Sequence, residues 1–248
     1  MPTQLTNDEV ALLRAEILKE AKAHPPTVGL IGVSGVGKSS TVNALFKTKL
    51  PISHTVACTK DFQAVEMALH MQHGYAKDLP VALRVFDAPG LGEDVARDPQ
   101  YLHRYEQVLP KCDVILWISA ARNRAVALEQ QYLKRLAKFW NKMVFAISQV
   151  DLTDPADWRE NVNLPSKAQL QNIDEICADR SEKFSAVLRR DVVFTPFAAA
   201  RKYNLEELFG EIVDACHEKR KWLVDGLKGF HYTDFLPVEI RKTLGPTD

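Results

Sequence analysis

Apolar residues recur along the chain in two rhythms. Short runs at 28–33, 81–86, 114–118, 143–147 and 192–194 alternate with longer stretches near 38–47, 97–109, 125–140, 167–188 and 205–217, where apolar positions return every three or four residues. The short runs read as strands and the longer stretches as helices. Their alternation predicts an α/β fold with a mostly parallel central sheet and helices on both faces. Val114-Ile115-Leu116-Trp117-Ile118 has no polar interruption, as a central strand buried on two sides requires. Asp61 to His73, with Phe62, Val65 and Met67, is expected to pair with 81–86 as the one antiparallel edge. Helix 125–140 presents Leu128, Tyr132, Leu136 and Phe139 to the core, and helix 205–217 presents Leu205, Leu208, Ile212 and Cys216.

The flanks read differently. Thr6-x-x-Glu9 has the form of a capping box, and Val10, Leu13, Ile17 and Ala21 follow at helical spacing before Pro25-Pro26. Residues 1–26 are therefore expected to hold an N-terminal amphipathic helix, 27–216 the main domain, and 217–248 a helical C-terminal extension. The extension carries Trp222, Leu223, Leu227, Phe230, Tyr232 and Phe235, which implies docking either on the body or on a partner. Between Asp151 and Pro165 lies a polar connection with two prolines and Trp158, longer than most strand-to-helix links; it is an ordinary insertion or a recognition loop.

Composition narrows the class. At 248 residues and 46% hydrophobic content the chain can bury a sizeable core. Thirty-two basic residues balance thirty-two acidic ones, so there is no global field to draw it to DNA or anionic lipid. Cys58, Cys112, Cys177 and Cys216 are scattered without metal-site spacing, which suits reduced thiols and a cytoplasmic protein. No window approaches the roughly 20 apolar residues of a membrane-spanning helix, leaving peripheral membrane contact as the only expected kind. His70 and His73 lack companions for a zinc site, and Lys219-Arg220-Lys221 is too short to identify RNA or membrane binding.

Chemistry concentrates in Gly32-x-x-x-x-Gly37-Lys38-Ser39, which stands between a strand and a helix. A loop of this form wraps backbone N–H groups around phosphates at a helix N-terminus. Gly32, Ser34, Gly35, Val36, Gly37 and Ser40 are the expected cradle, Lys38 reaches the β- and γ-phosphates, and the Ser39 hydroxyl is an expected Mg2+ ligand. Downstream, Asp87-Ala88-Pro89-Gly90 ends an alternating strand. Asp87 is placed to hold magnesium through water, and the Gly90 amide to sense the γ-phosphate. Thr59, in Cys58-Thr59-Lys60-Asp61, is the expected third metal ligand, with Thr55 as its competitor. An ATP-dependent kinase or ATPase on the same loop stays open at this point.

Strand 143–147 ends in Ser148-Gln149-Val150-Asp151, and here the chain resembles the Era/septin-like small G-domain GTPases, with motifs similar to the YfjP-like bacterial members. The resemblance covers residues 27–216 and rests on the phosphate loop, Thr59, D87APG90, S148QVD151 and Phe197-Ala198-Ala199-Ala200. It implies a P-loop G domain that binds GTP and GDP with Mg2+. In that family the Asp151 position accepts hydrogen bonds from guanine N1–H and the 2-amino group, which adenine lacks. Ser148 replaces the asparagine that braces the phosphate loop, Gln149 replaces the lysine that covers the base, and Ala198-Ala199 fall where Ser-Ala approaches guanine O6.

The residue after Gly90 is Leu91, where many such enzymes have a glutamine that orients water. Gly35 stands where potassium-activated relatives have an asparagine, which argues against that mode. Glu93, Asp94 and Arg97 fall in the expected second switch, where they either act locally or are solvated polar residues. Slow GTP hydrolysis through Lys38, Thr59 and Gly90 is expected, stimulated by GTP-dependent homodimerisation or by a protein effector. A non-catalytic GTP-dependent binding module is the alternative. Related GTPases act on ribosomes, membranes and envelope proteins, and the sequence does not choose among them.

Overall fold

The computed structural model describes residues 5–50, 63–72, 74–87, 91, 98–123 and 126–230. Strands β1 (Thr27–Ile31), β2 (Gln63–His70), β3 (Pro80–Asp87), β4 (Val114–Ala120), β5 (Met143–Ser148) and β8 (Phe194–Pro196) form a six-stranded sheet ordered β2-β3-β1-β4-β5-β8. Every pairing is parallel except β2 with β3, where Gln63 faces Asp87 and His70 faces Pro80. The antiparallel edge is therefore present. Two short strands, β6 (Trp158–Arg159) and β7 (Leu164–Pro165), make a separate hairpin inside the polar connection after Asp151.

Alternation within the strands sorts the helices. Val114, Leu116 and Ile118 of β4 join one core with Val28 and Leu30, whereas Ile115 and Trp117 join the other with Ile31. On the first face lie α1 (Asn7–Ala23), α2 (Lys38–Phe46), α6 (Leu205–Ala215) and α7 (Glu218–Asp225); on the second lie α3 (Asp98–Val108), α4 (Val126–Leu136) and α5 (Lys167–Leu188). On that second face Phe184 meets Trp117, Phe145 and Phe194 edge-on, and Phe145 packs tilted against Trp117 and Phe194.

Several boundaries move. β1 stops at Ile31 because Gly32 turns the chain, and Val33 makes only an isolated bridge to Leu91. β8 begins at Phe194 rather than 192. Helix 125–140 gives way at Leu136 to a 3-10 turn through Lys142. Its buried face is also rotated from the expected stripe: Val126, Glu129, Tyr132, Leu133 and Leu136 point inward, and Leu128 is only partly covered. The reason is Glu129, a fully buried carboxylate that accepts from Trp117 Nε1 at 3.3 Å, Asn123 Nδ2 at 2.8 Å and the Ser119 hydroxyl. A hydrophobicity pattern cannot assign a charged residue to the core.

At the N-terminus the Thr6 side chain accepts from Glu9 N–H and Glu9 answers to Thr6 N–H, capping α1. Ile17, Leu18 and Ala21 pack onto the first core. The described part of the tail, through Phe230, lies against the same face: Gly229 N–H donates to Leu45 O at 2.8 Å, and Phe230 meets Phe209 edge-on at 5.7 Å. Arg220 joins the flanks, binding Asp113 at 2.9 and 3.1 Å, Glu20 at 3.2 Å and the His24 carbonyl at 2.7 Å. Tyr232 and Phe235 lie outside the described residues.

Candidate guanine-nucleotide site

The phosphate loop begins where β1 runs out beside β4. A Cβ on Gly32 would sit 2.4 Å from the Ile118 carbonyl oxygen, so only glycine lets the loop lie this close to the neighbouring strand. Gly37 caps α2 in the left-handed region, φ 85°, and the helix starts at Lys38. Thr41 returns both its N–H and hydroxyl to the Gly37 carbonyl at 2.9 and 2.8 Å. The Lys38 ammonium folds back over the loop, 3.2 Å from Gly32 O and 3.4 Å from Val33 O. This is the geometry of an anion cradle: helix N–H groups, a folded loop and a fixed cation at one point. Ser34 and Gly35 are exposed on it, Val36 is buried beneath it, and Ser39 and Ser40 are half-buried in the first turn of α2.

Ser148 and Gln149 reach this loop from the end of β5. The Ser148 hydroxyl donates to Val36 O at 2.7 Å and lies 3.2 Å from Ser119 O. Gln149, left-handed at φ 58°, donates through Nε2 to Gly35 O at 2.8 Å. Two residues that depart from the usual asparagine and lysine thus both brace the phosphate loop. Asp151 follows in a 3-10 turn, and the Asp151 carbonyl and that of Thr153 just after the turn accept from Gln169 Nε2 at 3.2 and 2.9 Å. The loop after β8 comes alongside: Val150 N–H donates to Phe197 O at 3.4 Å. Ala198 is fully buried and its N–H is engaged by Tyr203 O at 3.2 Å, while Ala199 is half-buried.

Asp87 ends β3. Because Gly29 pairs with Phe86 in parallel register, its backbone lies at the same sheet end as the phosphate loop and Ser39. The Ser39 hydroxyl, in the first turn of α2, is an oxygen donor of the kind a hard divalent ion takes. The Asp87 side chain, Thr59, Thr55, Gly90, Glu93, Asp94 and Arg97 lie outside the described residues. Leu91 does not: its N–H donates to Gly32 O at 3.2 Å and its side chain is buried in the second core with Ile31, Tyr105 and Trp117. It serves as packing under the loop.

Sequence reasoning missed the residues around Asp151. Arg201 Nε lies 3.4 Å from Asp151 Oδ2, and Arg201 Nη1 binds both Glu160 oxygens at 2.7 and 2.6 Å. Hydrogen bonding to Glu160, against partial burial, holds the Arg201 pKa above its ordinary value. The one sequence signal for this cluster was Trp158 in the polar connection.

Residues 27–149 match the family model described as 50S ribosome-binding GTPase. The chain is 35% identical over 158 residues to the uncharacterized protein YfjP of Escherichia coli (strain K12), covering 62% of this chain and 51% of YfjP. It therefore spans about half the length of that relative. Among solved structures, Era in complex with MgGDPNP and a 16S ribosomal RNA segment is 25% identical at a TM-score of 0.50, over 78% of this chain and 57% of Era. Toc33 from Arabidopsis thaliana, in complex with Mg2+ and GMPPNP, superposes at 0.51 with 18% identity, over 79% of this chain and 80% of Toc33.

Proposed function

We propose that this chain, which carries a small P-loop GTPase domain, binds GTP and GDP with Mg2+, hydrolyses GTP slowly, and uses the nucleotide state to control self-association or an effector. What carries the reading is the pair of hydrogen bonds from Ser148 and Gln149 to Val36 O and Gly35 O. They tie the segment bearing Asp151 to the loop that grips phosphates, so base and phosphate recognition form one site.

In this mechanism the loop N–H groups and Lys38 hold the β- and γ-phosphates, and Asp151 accepts from guanine N1–H and the 2-amino group. Water attacks the γ-phosphorus in line, the bond to the β–γ bridging oxygen breaks, and GDP and inorganic phosphate result. Lys38 neutralises charge on the transferring group, and Ser39, Asp87 and Thr59 are the residues to hold the metal. Mg2+ held by those residues would supply positive charge to offset that of the phosphates. The buried Leu91 has no group to orient water, which supports slow intrinsic turnover and a stimulating partner; an arginine supplied in trans is worth about 10³–10⁵ in rate where it is used.

The test is single-turnover hydrolysis with GTP and ATP, run over a range of protein concentrations, beside binding of GTP and XTP to Asp151→Asn. Expected are GTP selectivity, turnover that rises with protein or effector concentration, and a shift towards XTP in the variant. Complete retention of GTP over hours would replace the enzyme by a GTP-dependent binding module, and an unshifted base preference would remove guanine from the assignment.

A further inference from the structure

The connection between Asp151 and Ser166 is built against the base loop, 198–203. Its hairpin is closed by Trp158 Nε1 donating to Asn163 Oδ1 at 3.1 Å and by Ser166 N–H donating to Asp157 O at 2.9 Å. From this small frame four contacts cross to the base loop. Asn163 Nδ2 donates to Arg201 O at 2.9 Å. Trp158 is buried with its ring edge-on to Tyr203 at 5.1 Å, and Tyr203 in turn pairs its backbone with Ala198. Glu160 takes Arg201 Nη1 on both oxygens, while the Arg201 guanidinium carbon lies 5.2 Å from the Trp158 ring.

The guanidinium so held has one edge left for Asp151. Its Nε is buried, without a hydrogen bond of good geometry, and 3.4 Å from Asp151 Oδ2. The Asp151 side chain is only 11% exposed. A carboxylate removed from water to that degree needs fixed polar partners to hold it in one orientation. It also has about four acceptor sites, so one guanidinium edge leaves room for two further donors.

We infer that Arg201, held by the 152–166 insertion, is a positioning residue that sets the Asp151 carboxylate for the 2-amino edge of guanine, so that the insertion takes part in base selection. The inference rests on the guanine reading of Asp151. Arg201 touches no nucleotide in this scheme; it acts through the carboxylate, and Glu160 and Trp158 act through Arg201. The 2-amino contact is the sensitive one, because it demands the second oxygen at a defined rotation.

The experiment compares GDP with IDP, which keeps N1–H and lacks the 2-amino group, on the full chain as wild type, Arg201→Gln and Glu160→Gln. Wild type is expected to prefer GDP by about tenfold or more, the scale of a hydrogen bond to a charged acceptor. Arg201→Gln is expected to bring that preference close to parity while IDP affinity changes by less than about threefold, and Glu160→Gln, at a 72% exposed side chain, to lower it by a smaller factor. A general loosening of the loop would weaken both nucleotides equally, and that result overturns the inference, as does an unchanged ratio in Arg201→Gln. Should Arg201→Gln fail to melt cooperatively, Glu160→Gln decides: an unchanged ratio there also overturns it. A wild-type chain that binds neither nucleotide fails the guanine reading itself, and the inference with it.

Discussion

The Ser148 hydroxyl donates to the Val36 carbonyl at 2.7 Å, joining two segments 112 residues apart in the chain. Both partners are buried, so removing one leaves the other without solvent to replace it. Ser148→Ala is expected to cost about 1–2 kcal/mol of stability and to speed GDP release several-fold. Thermal melting and stopped-flow release of a fluorescent GDP analogue check this. Gln149→Ala should speed release while leaving the melting temperature nearly unchanged, because its bond to Gly35 O is exposed.

Gly32 and Gly35 are expected to separate packing from the proposed phosphate binding. A methyl at Gly32 meets the Ile118 carbonyl at 2.4 Å and Val36 Cγ2 at 2.9 Å, whereas one at Gly35 meets nothing within 4 Å. Gly32→Ala is expected to destabilise the protein by about 1–3 kcal/mol through backbone displacement. Gly35→Ala pays only for φ +80°, about 1 kcal/mol, and loses nucleotide affinity instead. Urea midpoints beside nucleotide titrations distinguish the two; equal stability losses would contradict the packing account.

Arg220, in α7, links α1 and the residue just before β4 from one side chain. It and Asp113 are each only 15% exposed, and Asp113 Oδ2 also accepts from Thr27 N–H at 2.8 Å. Arg220→Ala leaves that carboxylate half-paired and is expected to cost about 2–3 kcal/mol, with faster amide exchange in α1 and α7 than in β4. Arg220→Lys should recover less than half, since an ammonium cannot reproduce the two parallel bonds to Asp113. Uniform exchange across the whole domain would mean that the flanks are not held through this residue.

Burial pushes the thiols of Cys112, Cys177 and Cys216 up to about 12. An exposed thiol titrates near ~8.5. At pH 8 the three are therefore protonated in the folded chain and should react with iodoacetamide far more slowly than in denaturant. With the folded value above the unfolded one, their contribution to stability is complete below about pH 8.5 and is lost as pH rises towards 12. Peptide-level labelling at pH 8 checks the first point and melting between pH 8 and 11 the second.

The glycine-rich turn between β1 and α2 and the order of strands and helices were legible because both are local. A glycine-rich turn between a strand and a helix is specified by backbone sterics within nine residues, and the uninterrupted 114–118 run can only be a strand covered twice. The place of Ser148-Gln149-Val150-Asp151, the proposed guanine motif, at the end of β5 follows from the same alternation. Leu91 was legible only as an absence, the missing water-orienting group; its burial beneath Gly32 shows what the leucine does.

By itself the sequence determined the sheet architecture, the glycine-rich turn ahead of α2 and the proposal for Asp151, since each depends on residue type at short spacing. Tertiary structure alone decided how the departures at Ser148 and Gln149 are accommodated, since what they reach are the Val36 and Gly35 carbonyls of a loop more than a hundred residues away. It also decided that Glu129 is buried and that Arg201 stands between Asp151 and Glu160. Those facts turn on polar groups finding partners across the fold. Apolar periodicity records which side of an element avoids water, and it carries no information about which charge meets which.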